Sequence, residues 1–259
     1  MSQTQQPRVA LVTGANKGIG LAFVKLLLSQ YKYQVVMATA RNPHEAYELK
    51  ALQEEYGSER VPILTLDVSD EKSVQSLPSS IPKSIQYINL LINNAGYLDS
   101  SIRQLEDLSM ESMLYSYKVN CVGPMLVCKY LKSYVKASHR GESLTSRHGI
   151  FAQISTRVAS VGDNRSGGAY PYRCSKAALN MATKNLALEL EKEKKAFTLL
   201  LHPGMVYTDM TKNFFGEPMD PKKHRTPEMA ASDLLEIIHA ADFSQNGKFI
   251  SYDKSEIEW

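Results

Sequence analysis

Seven short apolar runs recur along this chain, at residues 9–12, 34–39, 62–66, 88–92, 149–154, 198–201 and 248–252, with helical patterns between most of them. Strands that alternate with helix-length crossovers pair in parallel, and the helices cover both faces of the resulting sheet. With 43% apolar and 22% charged residues, the 259-residue chain can bury a full core. No Pro/Gly/Ser-rich linker, internal repeat or low-complexity segment interrupts the alternation. A single α/β domain over 1–259 is therefore expected, with residues 1–7 as a flexible N terminus.

The net charge of +3 is too small to point to nucleic acid or an anionic membrane as partner. No apolar run is long enough to span a bilayer, and Met1 to Pro7 are polar, without the apolar core of a secretory signal. A cytoplasmic protein is the expectation. Cys121, Cys128 and Cys174 form no zinc pattern and read as reduced thiols in helices; no metal is expected. Cys174 is the thiol to watch, since it lies between Tyr172 and Lys176 and is open to oxidation or alkylation there.

Directly after the first apolar run comes Thr13-Gly14-Ala15-Asn16-Lys17-Gly18-Ile19-Gly20, followed by the apolar helical stretch Leu21-Ala22-Phe23-Val24-Lys25-Leu26-Leu27-Leu28. Glycines let the backbone turn tightly and approach a ligand closely, and the helix N terminus offers free amides to a pyrophosphate. The Gly-x-x-x-Gly-x-Gly spacing departs from the general dinucleotide fingerprint Gly-x-Gly-x-x-Gly. A plain strand-to-helix turn needs only one or two glycines. Tyr172 and Lys176 share one face of a predicted helix, where an ammonium beside a phenol lowers the phenol's pKa.

Together with Asn93-Asn94-Ala95-Gly96 and Pro203-Gly204-Met205-Val206-Tyr207-Thr208, these motifs give the chain, from about Arg8 to Tyr252, a pattern that resembles the short-chain dehydrogenase/reductase family. Gly167-Gly168-Ala169-Tyr170-Pro171-Tyr172-Arg173 and Gly247-Lys248-Phe249-Ile250-Ser251-Tyr252-Asp253 look like its sniffer-type carbonyl reductase branch. The resemblance implies a doubly wound, Rossmann-type sheet of seven parallel strands in the order 3-2-1-4-5-6-7, with ligands at the carboxyl ends of the strands.

It also implies roles for residues. Tyr172 matches the proton donor, Lys176 the group that lowers the phenol's pKa and holds the nicotinamide ribose, and Asn120 the asparagine of the proton relay. Tyr170 has Cys174 rather than a lysine four residues on, which removes it as donor. The family's Ile-Ser-Ser run is Ile154-Ser155-Thr156 here. Neighbouring strand side chains point to opposite faces, so one hydroxyl serves the substrate carbonyl; register favours Thr156, with Ser155 as the alternative. Gly14, Asn16, Lys17, Gly18, Ile19 and Gly20 would cradle the cofactor. Asp67 and Val68 would contact the adenine, Asn94, Ala95 and Gly96 its ribose, and Pro203, Gly204, Val206 and Thr208 the nicotinamide. The alternative reading of Asp67 is a strand-end turn or helix-entry aspartate, and His202 reads as a packed histidine without a catalytic role.

No carboxylate follows the second strand, where NAD-specific members carry one. Arg41 stands there instead, with Lys17 in the glycine loop, so NADP(H) is the implied cofactor. Residues 211–227 carry three prolines and no long periodicity. By resemblance they form the substrate-binding loop, with Phe214 and Phe215 over an apolar substrate. The implied function is NADPH-dependent reduction of aldehydes, ketones or quinones by a homodimer or homotetramer. Selective reduction of a pteridine, a steroid or a β-keto thioester is the alternative, and a regulatory NADPH-binding protein is the reading from another class.

Overall fold

The computed structural model of the chain describes residues 7–137, 148–216 and 218–259. Most of the expected flexible N terminus, residues 1–6, lies outside them. Seven strands form one parallel sheet, β1 (Val9–Val12), β2 (Val35–Ala40), β3 (Ile63–Thr65), β4 (Leu90–Asn93), β5 (Gly149–Ile154), β6 (Ala196–His202) and β7 (Lys248–Ser251). Their order is β3-β2-β1-β4-β5-β6-β7, as the resemblance implied. Eight helices accompany them among the described residues: α1 (Gly18–Ser29), α2 (Tyr47–Tyr56), α3 (Glu71–Ser80), α4 (Met110–Tyr117), α5 (Gly123–Leu131), α6 (Tyr170–Glu193), α7 (Lys212–Phe215) and α8 (Pro227–Ala240). None of them is long and apolar enough to cross a membrane.

Every residue of β1, β4, β5 and β6 is buried, as a sheet covered on both faces requires. Alternation then divides the core. Ala10, Val12, Ala152 and Leu199 pack with Phe23 and Leu27 of α1 and Leu234 and Ile238 of α8. Leu11, Leu91 and Phe151 pack on the other face with Val74 of α3, Val127 of α5 and Leu186 of α6. This second face carries α6, and with it the Tyr-Lys pair.

Strand ends differ from the expected ones where pairing extends or replaces them. The sixth strand runs from Ala196 to His202 because it pairs with all of β5 on one side and reaches Ser251 on the other. The fourth starts only at Leu90, since Ile88 bridges Val135 and the Asn89 side chain accepts a hydrogen bond from the Val9 amide. Within 211–227 the three prolines confine helix to the four residues of α7, and Pro227 already opens α8.

Candidate active site

The glycine loop joins the end of β1 to α1, and its three glycines have three different reasons. Gly14 has φ +61°, and a Cβ there would lie 2.9 Å from the Ala95 Cα. Gly18 has φ +56° and faces the Thr208 methyl, and a Cβ on Gly20 would stand 2.2 Å from the Gly14 carbonyl oxygen. The loop is thus compressed against the segment after β4. Among the described residues no side chain caps the first turn of α1, which leaves amides free to meet an anion. Asn16 and Ile19 are half-buried along the same turn.

Asn94, expected to line the adenine ribose, braces the loop with its side-chain amide. Its Nδ2 donates to the Thr13 and Gly14 carbonyls at 3.1 and 3.0 Å, while Thr13 Oγ1 accepts from the Asn94 and Ala95 amides. Asp67 forms a turn: its Oδ1 accepts from the Ser69 amide at 2.9 Å and the Ser69 hydroxyl at 2.7 Å. Val68 is buried against Gly123, where a Cβ would meet the Val68 carbonyl oxygen at 2.3 Å. Arg41, at the end of β2, is exposed and makes no ion pair among the described residues. Lys17 does: its Nζ lies 3.3 Å from Asp209 Oδ2, and Asp209 also holds Lys212 at 2.9 Å. Asp209 had no place in the sequence reading, which set Lys17 and Arg41 toward one anion.

Tyr172 and Lys176 lie on the first turns of α6, over the end of β5. The segment leading into this helix is unusual, because Gly167, Gly168 and Ala169 all have positive φ. For Ala169 that conformation carries strain of about 1 kcal/mol or more. Lys176 is 4% exposed, and its Nζ donates to the Ile154 carbonyl at 2.8 Å. Burial pushes it down to about 8, with Cys121 pulling weakly upward.

The expected lowering of the Tyr172 pKa by Lys176 is not what the structure shows. Desolvation raises the phenol to about 12, and the partial offset comes from a hydrogen bond with Thr156. The reason is geometric, since the ammonium is engaged by the strand carbonyl. Ser155 faces the other way, its Oγ donating to Asn180 Oδ1 at 2.6 Å in a buried contact. Of the two hydroxyls, Thr156 is therefore the one beside the phenol.

Asn120 is fully buried on a π-helical turn, Lys118–Val122, between α4 and α5. Such turns widen a helix locally and cluster at functional sites. Asn120 Oδ1 accepts from the Tyr97 amide at 2.7 Å, and its Nδ2 donates to the Tyr97 carbonyl at 2.8 Å and Ser175 Oγ at 3.0 Å. These three hydrogen bonds of the side chain tie the loop after β4 to α6. Gly96 completes this wall, because a Cβ there would lie 3.4 Å from Asn120 Oδ1 and 3.7 Å from Lys176 Nζ.

After β6, Val206 is buried, Pro203 and Gly204 lead into it, and the Thr208 hydroxyl shares a hydrogen bond with Thr211 at 3.1 Å. His202 is nearly buried, and burial together with Arg157 pushes it down to about 4, so it is neutral. Phe214 is half-buried on α7; the side chain of Phe215 lies outside the described ones. All three cysteines are free, and Cys128 is buried, with its thiol raised to about 12 by desolvation. Besides Asp209, the sequence reading missed Arg103, whose guanidinium holds α7, and Tyr97 and Ser175, the partners of Asn120. Only Ser175 had a local signal, its place next to Lys176 in the Tyr-Lys motif.

The short chain dehydrogenase family model matches residues 8–218. An uncharacterized oxidoreductase of Schizosaccharomyces pombe is 30% identical, over 97% of this chain and 98% of its own. The NADPH-bound carbonyl reductase from chicken fatty liver superposes with a TM-score of 0.86 at 31% identity, over 98% of this chain and 100% of that one. The carbonyl reductase Sniffer of Drosophila melanogaster superposes with a TM-score of 0.83 at 28% identity over the same shares. Matched over most of its length, with the parallel sheet, glycine cradle and Tyr-Lys helix in place, this chain belongs to the short-chain dehydrogenase/reductase family of oxidoreductases.

Proposed function

We propose that this protein is an NADPH-dependent carbonyl reductase in which Tyr172 is the proton donor. The observation that carries the reading is the grouping at the end of β5: Thr156 beside the Tyr172 phenol, Lys176 on the Ile154 carbonyl and against Gly96, and the glycine cradle alongside. The cradle fits a dinucleotide: a side chain on Gly14 or Gly20 would fill it, and the first turn of α1 has free amides. Gly14, Asn16, Gly18, Ile19 and Gly20 would hold the pyrophosphate, Asp67, Val68 and Ala95 the adenosine, and Pro203, Gly204, Val206, Thr208 and Lys176 the nicotinamide end. Arg41 and Lys17 would take a 2′-phosphate, Lys17 by leaving an exposed, solvent-screened pair with Asp209. Bound there, NADPH supplies the hydride.

The protein's own part is to orient an oxygen and move one proton. At neutral pH Tyr172 is a neutral phenol and Lys176 an ammonium. A phenol raised to about 12 is still a stronger acid than an alcohol, so it gives its proton readily to an oxygen that develops alkoxide character. Thr156 can donate a hydrogen bond to the same oxygen and hold it beside the phenol. Lys176, held by the Ile154 carbonyl and facing Gly96, would hold the nicotinamide ribose and so place the hydride donor.

Residues 211–227 act as the substrate-binding loop of a one-domain enzyme, with Phe214 over an apolar substrate. Exposed apolar side chains on α4 (Met110, Leu114) and α6 (Met181, Leu188) support self-association. The test is oxidation of NADPH with a panel of quinones, aldehydes and ketones, on the native protein and Tyr172→Phe. Turnover by the native protein and a loss of about 10²–10⁴-fold in kcat for the variant are expected. Tyr170→Phe keeps most of the activity; if it is the inactive variant instead, the donor is misassigned. NADPH binding without turnover of any carbonyl compound would favour a regulatory role.

A further inference from the structure

Arg103 lies in the segment between β4 and α4, and α7 lies in the segment after β6. In the sheet β5 separates those two strands, so any link between the segments crosses the end of β5, where Thr156 and the start of α6 stand. Arg103 makes that link. Its Nη2 donates to the Asn213 and Phe214 carbonyls at 3.1 and 3.0 Å, and its guanidinium lies 5.4 Å from the centre of the Phe214 ring. A cation at the last carbonyls of a helix is the favourable arrangement for its dipole, and a four-residue helix has little else to hold it.

Arg103 is also fixed from behind. Its Nε donates to the Ser100 carbonyl at 3.3 Å and its amide to Asp107 Oδ2 at 3.1 Å. Its carbonyl accepts from the Ala169 amide at 3.0 Å, and a Cβ on Gly168 would sit 2.9 Å from that oxygen. Gly168 and Ala169 are two of the three residues with positive φ immediately before the helix of Tyr172. One residue thus grips the covering helix with its side chain and the base of the tyrosine helix with its backbone.

We infer that Arg103 is the positioning residue that holds α7 closed over the catalytic cleft and so sets how tightly the carbonyl substrate is retained. This rests on the reading of the cleft as a carbonyl-reducing site. The guanidinium does not touch the reacting atoms; it acts through Phe214. Its loss weakens substrate retention and leaves the proton donor and the glycine cradle in place, because the backbone bond to Ala169 does not depend on the side chain.

The test compares native protein, Arg103→Ala and Arg103→Lys by two measurements. Hydrogen exchange of the α7 amides, followed by mass spectrometry without substrate, reads the clasp alone. Losing charge-assisted bonds to two carbonyls is expected to speed that exchange about tenfold in Arg103→Ala. Steady-state kinetics with NADPH and 4-nitrobenzaldehyde read the consequence: KM rises about tenfold with kcat and NADPH affinity within about threefold, and Arg103→Lys recovers part of the loss. Unchanged exchange in Arg103→Ala overturns the inference. So does faster exchange with an unchanged KM, or an equal loss of NADPH affinity. If the native protein turns over no carbonyl compound, the functional reading fails while the exchange result still decides the clasp.

Discussion

The two ends of the cleft are held by different means. On the cofactor side, Asn94 and Thr13 lock the glycine loop to the segment after β4 with short, part-buried hydrogen bonds, and Gly14 and Gly20 leave no room for a side chain. On the other side, α7, proposed above as the substrate cover, has four residues and hangs on the exposed contacts of Arg103, Asp209 and Lys212. On the function proposed above, the contrast separates binding from selection: a preformed cradle takes one invariant ligand, while a lightly held cover can change with the substrate. Buried, close-packed contacts tolerate little, and exposed ionic ones contribute little individually.

Breaking the catalytic wall between these two ends is expected to have the largest effect. Lys176→Met removes the ammonium and lowers kcat by about 10²-fold or more, yet leaves the protein folded. In native protein the Lys176 pKa falls from 10.5 to about 8. Between those values the unfolded chain holds more protons than the folded one, so stability rises as pH climbs through that window. Activity moves oppositely and falls above about pH 8, where the ammonium is lost. Parallel pH profiles of Tm and kcat should show the two trends, and Lys176→Met should abolish the rise in Tm.

Next in size is a steric test of the cradle. Gly20→Ala puts a methyl 2.2 Å from the Gly14 carbonyl oxygen, a contact that forces the loop and helix apart. Overpacking of this kind costs about 1–3 kcal/mol, readable as a lower urea midpoint together with weakened NADPH binding. Ala at Gly216, where the surroundings are open but φ is +68°, should cost only about 1 kcal/mol of conformational strain. Equal losses at the two glycines would remove the distinction between a rigid and a loosely held side.

Cofactor choice sharpens the same comparison at its rim. Arg41→Asp replaces an attraction for a 2′-phosphate by a repulsion, and a charge-assisted hydrogen bond contributes roughly 1.5–3 kcal/mol, or one to two powers of ten in affinity. The ratio of kcat/KM for NADPH over NADH should fall accordingly, with the NADH value little changed. An unchanged ratio would reject the role of Arg41. The smallest effect belongs to the two neighbouring hydroxyls: Thr156→Val lowers kcat/KM by about tenfold as one hydrogen bond is lost, while Thr156→Ser keeps most of it. Ser155→Ala acts on stability, through the buried bond to Asn180, and the reverse pattern in kinetics would transfer the role to Ser155.

What was legible in the sequence follows the range of the interactions involved. The seven strands and their helices were readable because pattern and crossover length are local, and strand boundaries slipped where a partner strand extended or replaced pairing, as at β4 and β6. The site motifs were readable for the same reason, each falling within a few consecutive residues. Spacing alone also put Tyr172 and Lys176 on one helix. It did not reveal that desolvation dominates the titration of both groups, since burial is a property of the packed molecule.

By itself, then, the sequence determined the sheet, the glycine turn and the identity of the Tyr-Lys pair, all set by short-range stereochemistry and periodicity. Only the tertiary structure decided that Thr156 rather than Ser155 meets the phenol, that Asn94 is a brace, and that Lys17 pairs with Asp209. It alone joined Arg103 to Asn213 and Phe214, 110 and 111 residues away. Contacts at such separations leave no periodic trace in a chain, because they exist only once the sheet has brought the ends of β4, β5 and β6 together.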